Sequence, residues 1–433
     1  MSFTTIGLIG IALLFILIFL RVPVGFAMAA VGFVGFGCTV SFQASMSMMV
    51  KDVFSIFGSY SLTVIPLFVL MGQLAYHSGI SKRLFNAAYR FIGHWSGGLA
   101  IATVGACAAF SAICGSTNAT AATMGAATLP EMKRYNYQPD LATGVVAAGG
   151  SLGILIPPSV IFIVYGIETE QSIGRLFMAG IGPGLFLTLL FILAIVIWTR
   201  LRPELGPKGP KFSFRERFAS LSGLIETLLL FILIMGGLFL GIFTPTEAGA
   251  IGAFGTLVLA LAGRNLTMQG FMTAVFETTR ISCMILMIVA GATIFGHFLA
   301  VTRIPFDIAQ GVSEIQLPRY AIMLIIIAVY LVGGCVIDSL ALIMLTIPIF
   351  YPVILFLEYD PVWFGVIIVL VTQIGVITPP VGINVYVVSG VARDVPLDVI
   401  FKGVLPFLAA LIIGTLLLIP FPQIALFLPN LMG

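Results

Sequence analysis

Charge-free apolar runs recur along the whole chain, and a helix needs about 20 such residues to span a hydrocarbon layer roughly 30 Å thick. Together with two runs that hold a single glutamate each, Glu226 and Glu247, they stand near 3 to 20, 24 to 43, 61 to 77, 141 to 165, 178 to 199, 222 to 243, 246 to 262, 281 to 301, 362 to 386 and 403 to 428. A soluble domain carries roughly 25% charged residues. Here 9% are charged, 60% are hydrophobic and the mean hydropathy is +1.17. The chain therefore reads as an all-α polytopic membrane protein, with no segment left for a sizeable soluble domain.

The formal net charge of +3 is small, and the basic residues stand singly or in pairs, which gives no stripe for nucleic acid. Cys38, Cys107, Cys114, Cys283 and Cys335 lie in or at apolar segments without CxxC spacing, and read as small packing residues. The first run, Ile6 to Leu20, has no basic residue before it and Arg21 after it. That order is the reverse of a secretory signal, so it reads as a retained membrane helix.

Two further apolar stretches, 98 to 130 and 321 to 350, carry small polar residues in their middles: Gly115-Ser116-Thr117-Asn118, and Gly333-Gly334 through Asp338-Ser339. Each is expected to be a re-entrant hairpin of two half-helices. Irregular backbone at such a tip is tolerable only under protein or water, so the tips are expected at a buried site. With an external N-terminus and no crossing at either hairpin, only Lys51, Arg175, Arg303 and Arg319 of the 20 basic residues fall outside. The remainder fall inside, as the positive-inside rule requires. Both termini are then external, on what is the periplasmic side if the membrane is a bacterial inner membrane, and the proline-rich stretch Arg200 to Ser222 is a cytoplasmic connector.

Sliding the sequence by 222 residues places Pro23 on Pro245, Gly153 on Gly375, and Pro157-Pro158 on Pro379-Pro380. The hairpins fall at matching points, at Pro130 and Pro348. Residues 1-200 and 222-433 thus read as two repeats joined by 201-221, each of five crossings plus one hairpin. Five is odd, so the second repeat starts from the opposite face and the pair is inverted. Many secondary transporters are built this way, with the site near midplane between repeats.

Within that frame the candidate residues are those at the interruptions. Pro157-Pro158 and Pro379-Pro380, each following a glycine (Gly153, Gly375), are expected to break membrane helices and free carbonyls for a cation, or else to act as packing kinks. Gly115, Ser116, Thr117 and Asn118 offer hydroxyls, an amide and a helix N-terminus, suited to an anion and a small cation, or to close helix packing. Asp338, after Gly334 and before Ser339, is the one acidic residue placed well inside the membrane. There an uncompensated charge costs roughly 2.5 to 3.5 kcal/mol, so it caps the second half-helix, contacts sodium, or does both. Gln373, Thr378 and Asn384 surround the second interruption, as ligand groups or as interhelical hydrogen bonds. His77, His94 and His297 have no metal-site spacing, Glu247 reads as a first-turn helix residue, and Glu168 with Glu170 as a solvated external loop. No HExxH, GxSxG or paired intramembrane aspartate supports an intramembrane enzyme.

At these residues the chain resembles the large membrane subunit of the tripartite ATP-independent periplasmic (TRAP) transporters, within the wider ion transporter superfamily. The resemblance lies in Arg21-Val22-Pro23-Val24-Gly25, the tip Gly115-Ser116-Thr117, and Gly153 through Pro157-Pro158-Ser159. It continues in Phe243-Thr244-Pro245-Thr246-Glu247-Ala248, Ile347-Pro348-Ile349-Phe350-Tyr351-Pro352, Asp360-Pro361, and Ile377-Thr378-Pro379-Pro380-Val381-Gly382. The first tip departs from the family's serine-rich pattern by placing an amide at Asn118, a difference that bears on substrate choice. The resemblance implies a sodium-coupled elevator in the bacterial inner membrane, in which a unit carrying both hairpins slides against a scaffold. It implies a separate small four-helix membrane subunit, a periplasmic solute-binding protein and an organic-anion substrate such as a C4-dicarboxylate, sugar acid or sulfonate. No cofactor beyond the coupling Na+ is implied, its ligands lying near the two tips. No small-subunit pattern precedes Met1, so the unfused form is expected. A stand-alone sodium/anion symporter of the same superfamily is the alternative.

Overall fold

The computed structural model describes residues 2–264, 266–314 and 317–432, and every regular element among them is helical. The first half runs α1 (Phe3–Phe19), α2 (Val24–Thr39), α3 (Phe42–Phe57), α4 (Val64–His77), α5 (Ile80–Ile92), α6 (Gly98–Cys114), α7 (Thr117–Arg134), α8 (Pro139–Ser151), α9 (Val160–Glu168) and α10 (Ile173–Leu201). Local chemistry sets the starts. The side chains of Ser2, Ser41, Ser116 and Ser172 each accept a first-turn backbone N–H, and Pro139 opens α8.

The second half runs α11 (Phe214–Ser220), α12 (Ser222–Phe239), α13 (Pro245–Ala262), α14 (Met268–Val301), α15 (Ile304–Glu314), α16 (Arg319–Gly334), α17 (Ser339–Phe356), α18 (Pro361–Ile377), α19 (Ile383–Val391) and α20 (Leu397–Leu418). Thr244, Pro245 and Glu247 start α13 with a reciprocal capping box. Adding 222 to the starts of α6, α7, α8, α9 and α10 lands on, or within about three residues of, the starts of α16 to α20. The same offset carries α2 to α13. It also carries α3 and α4, which meet at a bend of 54°, onto the single 34-residue α14.

Several elements differ from the sequence expectation. The expected run at 281 to 301 is only the second half of α14. The helices α3 and α5 lie outside the expected runs: Gln43, Lys51 and Asp52 in one, and Lys82, Arg83 and Arg90 in the other, interrupt the apolar sequence. Both are amphipathic, with apolar residues at helical rather than continuous spacing. The helices α10, α13, α14, α17 and α20 are each long and apolar enough to cross a membrane by themselves. By contrast α1, α2 and α18 have 17, 16 and 17 residues, or about 24 to 26 Å of helix. The apolar runs overstated them, since Leu20, Val40 and Thr378 lie just past the helix ends. The length of α17 would suffice for a crossing, although 321 to 350 was expected to turn back.

In the interior α2 packs along α14, α13 along α4, and α8 along α20. The connector is more ordered than its polar sequence suggested. Its Leu205 is buried and accepts from the Gln138 N–H at 3.0 Å, while the Gly206 carbonyl accepts from the Gly97 N–H at 2.8 Å. The Gly209 N–H donates to the Gly93 carbonyl at 2.9 Å. One short segment thus holds the chain just before α6 and just after α7, fixing the base of that helix pair. Farther along, Ser213 and Glu216 form a second capping box, and the Ser213 hydroxyl holds the Glu216 carboxyl below its ordinary range.

Candidate functional site

The stretch 98 to 130 folds as α6 and α7, which pack against each other and meet at Gly115 and Ser116. Gly115 has φ of +62°, a left-handed conformation that ends α6, and its N–H donates to the Ser111 carbonyl. A Cβ there would also stand 2.6 Å from the Pro158 carbonyl oxygen, so glycine serves both the turn and the contact. Ser116 then caps α7, its hydroxyl accepting from the Ala119 N–H at 3.4 Å. The stretch 321 to 350 folds likewise as α16 and α17, and Asp338 caps α17 with Oδ2 accepting from the Leu340 N–H at 3.1 Å. The capping role is therefore present.

Both tips open on one cavity of about 140 Å³. The first contributes Cys114 to Ala119 and the second contributes Asp338, Ser339 and Leu340. Val69, Gly72 and Gln73 of α4, Ile281, Met284 and Ile285 of α14, and Ile154, Val160 and Ile161 around the first helix break complete the wall. The positive ends of α7 and α17 both face this space. Asn118 and Asp338 are exposed to it, whereas Ser339 is buried with its hydroxyl unpaired. Thr117 donates to Asn118 Oδ1 at 3.4 Å. Among the described residues, Asp338 is the one charged residue in the wall, and no Lys, Arg or His contributes to it.

The two helix breaks differ. Residues 152 to 159 between α8 and α9 are buried, Pro157 and Pro158 included, and Ser159 has an unpaired hydroxyl. This break backs the first tip: besides the Gly115 contact, a Cβ at Gly153 would stand 2.5 Å from the Ser116 carbonyl oxygen. The break between α18 and α19 contributes no residue to the cavity wall among the described residues. Pro379 and Pro380 are exposed, and the Thr378 hydroxyl donates to the Ile374 carbonyl. Gly334 rests on the Gly375 backbone. Asn384 is buried and donates to the Ala147 carbonyl at 3.0 Å, tying α19 to α8. Gln373 is fully buried with both amide atoms unpaired.

Gln73 was not among the expected site residues, although it is the single amide in the run 61 to 77. His297 meets Asp52 at 3.1 Å across α14 and α3, a pair separated by too much sequence to be seen there. Glu168 ends α9 and is partly buried rather than solvated; burial raises its carboxyl to about 7. Among the described residues no group of His, Cys, Asp and Glu has the arrangement of a metal centre.

An apolar helical bundle that brings interrupted helices end-on to a small polar cavity has the construction of a membrane transport protein. The chain belongs to the DctM component family of the tripartite ATP-independent periplasmic transporters, whose family model matches residues 11–424. That family is one of transport permeases. The C4-dicarboxylate TRAP transporter large permease protein DctM of Pseudomonas aeruginosa is 38% identical over 86% of this chain and 87% of its own. The sialic acid TRAP transporter large permease protein SiaM of Vibrio cholerae is 36% identical over 96% of both. In fold, the chain is similar to the YdaH transporter of Alcanivorax borkumensis, with a TM-score of 0.65 at 16% identity over 89% of this chain and 90% of that one.

Proposed function

We propose that this protein is the large permease subunit of a sodium-coupled TRAP transporter that imports a small organic anion across the bacterial inner membrane. A C4-dicarboxylate, sugar acid or related carboxylate or sulfonate is delivered by a periplasmic solute-binding protein, and a small four-helix membrane subunit braces the scaffold. The observation that carries this reading is the charge of the cavity: among the described residues its wall holds one carboxylate, Asp338, and no cationic side chain. An anion about 4 Å from a second anion is repelled by roughly 4 kcal/mol at an effective dielectric of 20. With no Lys or Arg to offset this, a small cation must enter with the substrate. The wall offers oxygen donors for one in Asp338, Ser339, Ser116 and Asn118, which suits a hard ion such as sodium. The N-termini of α7 and α17 then face the anion.

In this proposal the two halves are inverted repeats, with the hairpins α6–α7 and α16–α17 riding on a unit that moves as an elevator. The distribution of basic residues supports both termini on the periplasmic side and hairpins that return to the face they entered.

The test is uptake of labelled organic anions into proteoliposomes holding both membrane subunits, with the binding protein outside. Uptake is expected to follow an inward sodium gradient without ATP; uptake indifferent to sodium would remove the mechanism. Ser116→Ala is expected to lower initial uptake at limiting sodium about tenfold, the equivalent of one lost hydrogen bond or ligand. Uptake unchanged at every sodium concentration would reassign Ser116 to capping alone.

A further inference from the structure

The helix α12 touches both α6 and α10 without closing on them, and a cavity of about 350 Å³ remains between the three. From α6 it is walled by small residues at helical spacing, Gly105, Ala108, Ala109 and Ala112. Leu228 and Phe231 of α12 face them. Among the described residues the lining holds two hydroxyls, that of Thr188, which donates to the Gly184 carbonyl at 2.7 Å, and that of Thr227, a residue with a partner of its own.

Three fillers are conceivable, and physical chemistry separates them. The space exceeds the roughly 30 Å³ share of one water molecule many times over, yet a buried water needs two to four polar partners, and this lining offers only the spare lone pairs of two threonine hydroxyls. Left empty, it would deprive its lining of dispersion contacts on one side. Hydrocarbon is the remaining candidate, and it is the solvent at membrane depth. The cavity is also open to it, since Leu185 and Leu228 on its rim are 58% and 49% exposed. Its wall on α12, from Leu224 to Phe231, covers about 10 Å of helix, the length of a mid-chain acyl segment. The end of this wall lies beside α11, where exposed Phe214 and Phe218 flank Arg215, Glu216 and Arg217, a run of net positive charge. Such an amphipathic segment sits at the headgroup boundary and offers positive charge to a phosphate.

We propose that this cavity binds one acyl chain of a membrane phospholipid, held between the first hairpin and α12. The inference rests on the reading of the chain as a membrane permease, but its test does not depend on transport. The intact complex is reconstituted with phosphatidylethanolamine carrying a diazirine midway along one chain, irradiated, and mapped by mass spectrometry. Label is expected on α6 at 105 to 112, which α12 covers, at no less than the level on Leu229, Ile232 and Leu233 of the outer face of α12. Ala109→Phe fills the cavity and is expected to reduce the α6 label at least about fivefold while the outer face keeps its own. Should that variant fail to assemble, Leu228→Phe fills the space from the opposite wall with the same expected loss. Absence of label on α6 in the native complex, label indifferent to both substitutions, or label from the free diazirine fatty acid but not from the phospholipid would each overturn the proposal.

Discussion

Gly375→Val is expected to reduce transport at least about a hundredfold and to lower the melting temperature of the purified permease. Gly375 lies two residues before the end of α18, and a Cβ there would overlap the backbone of Gly334, the last residue of α16. A backbone obstacle cannot rotate away as a side chain can, so α16 or α18 must shift. Overpacking of this kind costs about 3 kcal/mol, the upper end of its usual range. The shift also displaces Asp338, four residues beyond Gly334, from the cavity. Position 153, 222 residues earlier, seats the first tip in the same manner through the Ser116 carbonyl. Gly390→Val on α19 is the control, because a Cβ at Gly390 meets nothing within 4 Å. The measurement is initial uptake normalised to protein in the membrane, alongside thermal unfolding in detergent. Near-normal uptake by Gly375→Val would show that the second tip does not depend on this seat.

Much of the architecture follows from elementary patterning. Uninterrupted apolar runs dictate a helical membrane protein, and motifs spread over both halves identify the family. Helices also end where proline pairs and small polar residues stand, because Pro157-Pro158, Pro379-Pro380 and Asp338 act on their own backbone. What could not be read depends on long-range packing. Two proline pairs with nearly the same neighbours differ in exposure, since burial is decided by what lies over an element rather than by its sequence. Gln73 joins the site because α4 passes both tips, and an isolated amide in an apolar run gives no direction. The connector clasps the first hairpin through backbone groups of Leu205, Gly206 and Gly209, which leave no side-chain signature. Amphipathic α3 and α5 escape a search for continuous apolar runs for the reason that makes them amphipathic.

Asp338→Asn is expected to raise the sodium concentration for half-maximal uptake at least about tenfold, with normal assembly of the permease. Asp338 has two roles that ordinary truncation would confuse. Its Oδ2 accepts the Leu340 N–H and so caps α17, and its negative charge faces a cavity with no cationic side chain among the described residues. Asparagine is as good a cap as aspartate, so the substitution preserves the start of α17. It removes only the charge. A sodium ion about 4 Å away at an effective dielectric of 20 gains roughly 4 kcal/mol from that charge, and a third of this corresponds to a tenfold change in binding. Asp338→Ala removes the cap as well, at a further cost of about 1 kcal/mol to the helix, and is expected to lose thermal stability in addition to sodium affinity. The two variants therefore separate the roles. If Asp338→Asn kept the sodium dependence of the parent while Asp338→Ala lost both folding and uptake, the carboxylate would be a helix cap. The coupling cation would then have to be held by neutral oxygens, Ser339, Ser116 and the carbonyls at the tips, with the anion's own charge as its counterion.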